Sequence, residues 1–311
     1  MVSTPLTAQA QILTLENSAL RLLLRPDLGG RIDQLTDLRT GQDWLWHPPG
    51  YDPTQTRSLP LGASFDDQWS GGWDEMFPND AAGNFRGYDL VDHGEFWSQP
   101  WQVVEHSSHS VSLTYQCQRV PVAVEKTIHL NADQTAMIQY RFQNQSDDTI
   151  PFLFKQHAAL AIAPGDEILL PDCLVEAAFL EFSKLIGQAG KFPFPQAVAA
   201  DGSNVDLRYV PDRSSGLQEF YYCSELARGE CGIRRQDGSS LRFQFDRADF
   251  PYVWVFQSYG GWKDHYMLVM EPATTMPFDL EIASQQGTIA HLPPRATQTR
   301  QLTVALEAPT R

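Results

Sequence analysis

Long apolar runs are missing from this 311-residue chain: no stretch reaches the roughly 18 uncharged apolar residues that a membrane-spanning helix needs. A transmembrane chain is therefore not expected. Cationic tracts are missing as well. The 23 Lys and Arg face 38 Asp and Glu, a formal net charge of −15, and no Lys/Arg cluster interrupts that negative field. Phosphate backbones are repelled, so nucleic acid is not an expected partner, and the same field leans towards a neutral small ligand. Cysteine is scarce: Cys117, Cys173, Cys223 and Cys231 contain no C-x-x-C pair, and the start Met1-Val2-Ser3-Thr4-Pro5 has neither a basic nor an apolar leader segment. A reducing cytoplasm is the expected compartment. Helical periodicity is also thin, with 174–185 as the best and still ambiguous candidate.

Aromatic residues and strands are what the chain has. Its 17 Phe, 10 Tyr and 8 Trp, within 42% hydrophobic residues, supply a large core, and 20% charged residues is ordinary for a soluble protein. From Trp101 onward, strands follow one another at 110–118, Val122–Leu130, Thr135–Asn144 and 150–162, with His-Ser-Ser-His, Asn-Ala-Asp-Gln and Gln-Ser-Asp-Asp as turns. Val111, Leu113, Tyr115 and Cys117 share one face, as do Val122, Val124, Lys126, Ile128 and Leu130, which is the period of two of half-buried strands. A hairpin is expected around Gly29-Gly30 (20–24 and 31–36), and two buried strands at Tyr252–Tyr259 and 266–270. The segment 191–215, rich in Gly, Pro, Asp and Ser, reads as a long surface connection. No repeat, low-complexity tract or linker divides the chain. The expectation is an all-β protein, one domain over 1–311, with two sheets packed face to face.

Two short segments concentrate chemistry: Gly71-Gly72-Trp73-Asp74-Glu75-Met76-Phe77-Pro78 and Asp92-His93-Gly94-Glu95-Phe96-Trp97. Aromatic faces cover the apolar C–H surface of a pyranose, while carboxylates, amides and imidazole meet its hydroxyls. Taken with His157 ending the run Phe152-Leu153-Phe154-Lys155-Gln156, and with Met270-Glu271-Pro272-Ala273-Thr274, the order of pieces resembles the aldose 1-epimerase, or galactose mutarotase-like, superfamily. Leu292-Pro293-Pro294-Arg295 is similar to that family's Leu-x-Pro-Gly-Glu ending, with Gly and Glu replaced. The resemblance covers roughly Leu20 to Val304. It implies a large two-sheet β-sandwich, the galactose mutarotase-like supersandwich, with its site on a concave sheet and no metal or cofactor.

Opening a cyclic hemiacetal requires a base at the anomeric hydroxyl and an acid at the ring oxygen. The resemblance assigns Glu271 as base, His157 as general acid and His93 as hydrogen-bond partner of the ring oxygen or a nearby hydroxyl. Trp73 and Trp97 are candidate stacking platforms, and Asp74, Glu75, Glu95 and Gln257 candidate contacts to hydroxyls. Relatives that act on hexose 6-phosphates tend to carry Arg before the Gly-Gly pair, where this chain has Ser70; Arg86, Lys155 and Lys263 are the remaining cations that could reach a phosphate. A neutral free aldose is the expected substrate. Four alternatives stay open: a mutarotase of a phosphorylated hexose; a metal site from Asp92, His93, Glu95 and His157, whose spacing is looser than zinc patterns; a glycosidase using Glu95 with Glu271; and a sugar-binding or sugar-sensing domain without chemistry.

Overall fold

Alternating burial is the pattern that organises the chain in three dimensions. In Val122–Leu130, Val122, Val124, Lys126, Ile128 and Leu130 are buried, and the residues between them are half-buried or exposed. The computed structural model describes residues 10–55, 59–132 and 135–309; the start of the chain and the second half of the Asn-Ala-Asp-Gln turn lie outside the described residues. Among the described residues, strands form an antiparallel sheet of eleven strands and another of eight, with three two-stranded additions. The all-β expectation holds.

The smaller sheet contains the strands that are clearest in the sequence: Ser110–Gln116, Val122–Leu130 and Thr135–Asn144 pair in succession, and Thr297–Glu307 joins the last of them. The larger sheet places Lys155–Ala161 between Trp73–Met76 and Tyr266–Ala273, then continues through Tyr252–Tyr259 to Leu217–Ser224. The hairpin of Leu20–Arg25 with Arg31–Asp37 forms as expected. Side chains from the facing sheets interlock. Trp73 meets Phe243 edge-on with ring centroids 5.0 Å apart, and apolar residues of both sheets belong to one continuous cluster.

Three segments differ from the sequence reading. The 150–162 run is broken at Leu153-Phe154: Ile150–Phe152 pairs with Ala290–Leu292, while Lys155–Ala161 enters the large sheet. The ambiguous 174–185 segment begins as the strand Leu174–Ala177, paired with Leu217–Ser224, and carries no helix. Its β-sheet partner overrides a weak helical pattern. The 191–215 connection contains the short strands Phe192–Pro193, Gln196–Val198 and Asn204–Asp206. Helix occurs instead as the single turn Phe65–Gln68 and as Leu280–Gln286, where Asp279 accepts from the Ile282 N–H at 3.0 Å and Gly287 closes the end at φ +71°.

Candidate active site

Successive strand residues point to opposite sides of a sheet, so parity decides which residues reach a site. In Lys155–Ala161, Gln156 turns into the sandwich, where its side-chain oxygen accepts from Trp73 Nε1 at 2.9 Å and from the Tyr140 hydroxyl at 3.1 Å. Lys155 and His157 therefore face outward. On the neighbouring strand Glu271 shares that outer side, and Lys155 Nζ lies 2.6 Å from its carboxylate and 2.5 Å from that of Asp80. The Lys155 ammonium also sits 4.3 Å from the centroid of the Trp254 ring.

His93 arrives from a turn rather than a strand. It holds φ +55° and is followed by Gly94 at φ +70°. A Cβ on Gly94 would lie 2.1 Å from the Phe77 carbonyl oxygen, so only glycine allows the Phe77 and Gly94 backbones to run this close. The Glu95 N–H then donates to that same carbonyl at 2.7 Å, and the His93 N–H to the Asp80 carbonyl at 2.7 Å. The His93 ring is clamped by Asp92 at 2.7 Å on Nδ1 and by stacking on Phe65 at 4.1 Å. Its Nε2 is 3.7 Å from the Asp80 carboxylate. The Gly-Gly pair makes a similar close approach: a Cβ on Gly71 would lie 2.1 Å from the Trp46 carbonyl oxygen.

These pieces line one cavity of about 320 Å³. Asp80, His93, Lys155, His157 and Glu271 form its polar group, with the exposed Asp66 apart from them. Phe65 and Trp69 both present to His157 edge-on at 5.2 Å, and further aromatic rings complete the wall. His157 Nδ1 is buried and has no hydrogen-bond partner among the described residues.

The electrostatics of this group follow from burial set against nearby charge. Burial raises the pKa of Glu271 above the usual glutamate range, while Lys155 pulls it back. Burial works against the Lys155 charge, but Asp80 and Glu271 outweigh it and raise its pKa. The two imidazoles diverge. Burial, with the positive charges of Lys155 and His93, drives His157 well below the ordinary histidine value, so it is neutral near pH 7. For His93 burial also opposes the charge, yet Asp80 and the bond to Asp92 prevail and its pKa rises. Lys155 is fully engaged by two carboxylates, and Arg86 lies outside the cavity, bonded to Ser284. Lys263, at the rim, donates to the Asp66 carbonyl.

No protein-family model and no curated protein sequence matches this chain. Solved structures do match it. A putative aldose 1-epimerase from Escherichia coli K12 is similar over 96% of this chain and 99% of its own, with 19% identity and a TM-score of 0.67. A galactose mutarotase related enzyme from Lactobacillus acidophilus aligns over 96% and 98% at 14% identity, with a TM-score of 0.69. A Synechocystis protein aligns over 98% and 99% at 16% identity, with a TM-score of 0.71. The fold is that of the galactose mutarotase-like proteins. At these identities the mutarotase-like fold is what the likeness establishes, and activity has to be argued from the site.

Of the residues singled out in the sequence, the mutarotase-like fold brings Glu271 and His157 on strands and His93 on a turn to the cavity, and sends the others elsewhere. Trp73 and Glu75 have the opposite parity to Asp74 and lie between the sheets, where Glu75 accepts from Lys126 Nζ and the Tyr140 hydroxyl at 2.6 Å each. Asp74 lies opposite His157 in the strand register but does not line the cavity. Burial, with Glu75 adding to it and Arg31 opposing, pushes its carboxyl up to about 7. Glu95 ties down a loop, accepting from the Gln118 and Arg119 backbone N–H groups at 2.6 and 2.8 Å. It does not line the cavity, so the nominated Glu95 and Glu271 glycosidase pair does not assemble there. Trp97 is buried beneath Phe65, edge-on at 4.9 Å. Gln257 points into the sandwich and donates to the Tyr221 hydroxyl at 3.1 Å. Among the described residues no group of three His, Cys, Asp or Glu is arranged to hold a metal ion, and no helix is long and apolar enough to cross a membrane.

The site residues not foreseen are Asp80, Phe65, Trp69 and the aromatic wall, together with the use of Lys155 as a partner for carboxylates. Lys155 was readable, because it stands two residues before His157 and must share its face. Phe256, of opposite parity to Gln257, takes the place at the cavity that the sequence reading gave to Gln257. Asp80 carried no sequence signal, since the turns that deliver it are tertiary.

Proposed function

We propose that this protein is an aldose 1-epimerase that interconverts the α- and β-anomers of an uncharged monosaccharide. The observation that carries the reading is the convergence of Glu271, His93 and His157, from three distant parts of the chain, on one cavity whose volume of about 320 Å³ lies at the small-ligand end of the usual range. Glu271 takes the proton from the anomeric hydroxyl as the bond between C1 and the ring oxygen breaks, and an imidazole delivers a proton to that oxygen. Rotation about C1–C2 presents the other face of the aldehyde. The same groups acting in reverse close the ring with inverted configuration and return to their starting protonation states.

The electrostatics favour an exchange of roles between the imidazoles relative to the sequence expectation. Asp80 and Asp92 support a proton on His93, so His93 is the better acid. Neutral His157 then offers a hydrogen bond to the ring oxygen or an adjacent hydroxyl. Lys155 draws the Glu271 pKa down against its burial, the direction a base requires. An uncharged substrate fits a site whose one buried cation is already held by two carboxylates. Polarimetry on freshly dissolved α-aldoses at neutral pH tests the reading: the protein is expected to accelerate the approach to anomeric equilibrium for at least one of them. No acceleration across a panel of neutral aldoses, plain and deoxygenated, would remove it.

A further inference from the structure

The acid and base chemistry is gathered at one side of the cavity. Lys155 bridges Glu271 and Asp80, and Asp80 in turn lies beside His93. Beyond His157 the wall changes character. Trp69 leads to Trp262 at 6.3 Å, Trp262 to Phe256 at 5.2 Å, and Phe256 to Phe220 at 5.8 Å. Phe220 then meets Phe179 at 6.2 Å, and Phe179 meets Phe278 at 5.1 Å. This is an unbroken arc of rings, all of them only partly buried and all lining the cavity. Large apolar side chains left open to a cavity in this number are unusual unless something apolar covers them. Apart from indole N–H groups, the only polar side chain lining the cavity outside the polar group is the exposed Asp66.

A pyranose has its reacting atoms, C1 and the ring oxygen, side by side on one edge. With that edge held by Glu271 and the imidazoles, the opposite edge, which carries C3 and C4, faces the arc. A free hydroxyl enclosed there exchanges water for, at best, one indole N–H such as Trp69 Nε1, unpartnered among the described residues, whereas hydrogen, methyl or O-methyl at the same position gains contact with the rings. Resting on the proposed epimerase reading, we infer that the substrate is a reducing sugar whose end remote from C1 is deoxygenated or O-alkylated. Discrimination of this kind is typically about tenfold to a hundredfold.

The test compares matched pairs that differ at one remote position, 4-deoxy-D-xylo-hexose with D-galactose at C4 and 3-O-methyl-D-glucose with D-glucose at C3. Anomer exchange is followed by NMR, and binding by quenching of tryptophan fluorescence. At least one modified sugar is expected to exceed its parent about tenfold or more in kcat/KM and in affinity. Phe256→Gln and Phe220→Gln, which place a hydrogen-bonding group in the arc, are expected to shrink that ratio. Ratios at or below one for both pairs in the native protein overturn the inference. Fast exchange without preference would leave the epimerase reading intact while this inference fails. Tighter binding of the modified sugar without any exchange would do the reverse, and no binding or turnover of any of the four sugars would remove both.

Discussion

Two buried Lys–Glu pairs, both at 2.6 Å, sit on opposite faces of the same sheet. Lys126 and Glu75 are sealed between the sheets, with no solvent exposure, and are bound further by the Gly30 carbonyl and the Tyr140 hydroxyl. Lys155 and Glu271 lie on the outer face, where Lys155 has a second carboxylate in Asp80 and both residues line a cavity. The chemistry of the pairs is alike, and their surroundings assign them different work. An enclosed pair with its own hydrogen bonds can only hold two sheets in register. A pair at a cavity wall, with a third charge to share, can hand a carboxylate to a ligand and tune its proton affinity.

Breaking the enclosed pair should give the largest effect. Lys126→Met leaves Glu75 buried without its counter-charge and is expected to cost about 3–5 kcal/mol in denaturant unfolding, and Lys126→Met with Glu75→Leu should recover most of that. Turnover per folded molecule should be unchanged in both. If Lys126→Met instead abolished turnover in protein that remained folded, the division between the two faces would be wrong.

Glu271→Gln should show the opposite profile. Mutarotation is expected to fall at least about a hundredfold, the usual scale for a lost general base, with little change in unfolding midpoint. His93→Asn should fall comparably, and His157→Asn by less if the exchange of roles holds. Polarimetry alongside thermal unfolding checks all three, and a near-normal rate for Glu271→Gln would show the base to be misassigned.

The smallest and most discriminating change is a shift in pH profile. In the proposed mechanism turnover requires Glu271 ionised and His93 protonated, so it is expected to rise with pH through the raised Glu271 pKa and to fall through the raised His93 pKa. Lys155 lowers the proton affinity of both. In Lys155→Met each limb should therefore move to higher pH, and the optimum with them. A Lys155 that only props the sheet would lower the whole curve without moving it.

The sequence was legible where periodicity repeats. Val122–Leu130 shows its buried face in every second residue, and the order of the Gly-Gly, His-Gly and Glu-Pro pieces led to the architecture and to Glu271, His157 and His93. It was illegible where one residue of parity decides. Trp73, Asp74 and Glu75 looked like one functional cluster, yet adjacent strand positions cannot share a face, and only tertiary packing says which side meets the other sheet. Gln257 stood out as a polar break in an apolar strand, and that break serves Tyr221 in the interior, while its apolar neighbour Phe256 lines the cavity. The helix Leu280–Gln286, capped by Asp279 and Gly287, was not anticipated because it is too short for its periodicity to emerge.

Lys155, His157 and Glu271 are mounted on central strands of a broad sheet, and the His93 turn is pinned to the backbone at Phe77 by Gly94, whereas Trp69, Phe179, Phe182, Trp262 and Phe278 stand on the connections around the sheet. Chain segments of the second kind accept substitution and changes of length far more readily than the first. On the proposed reading, sugar preference can be rewritten by redrawing the perimeter while the groups assigned to proton transfer at C1 stay in place.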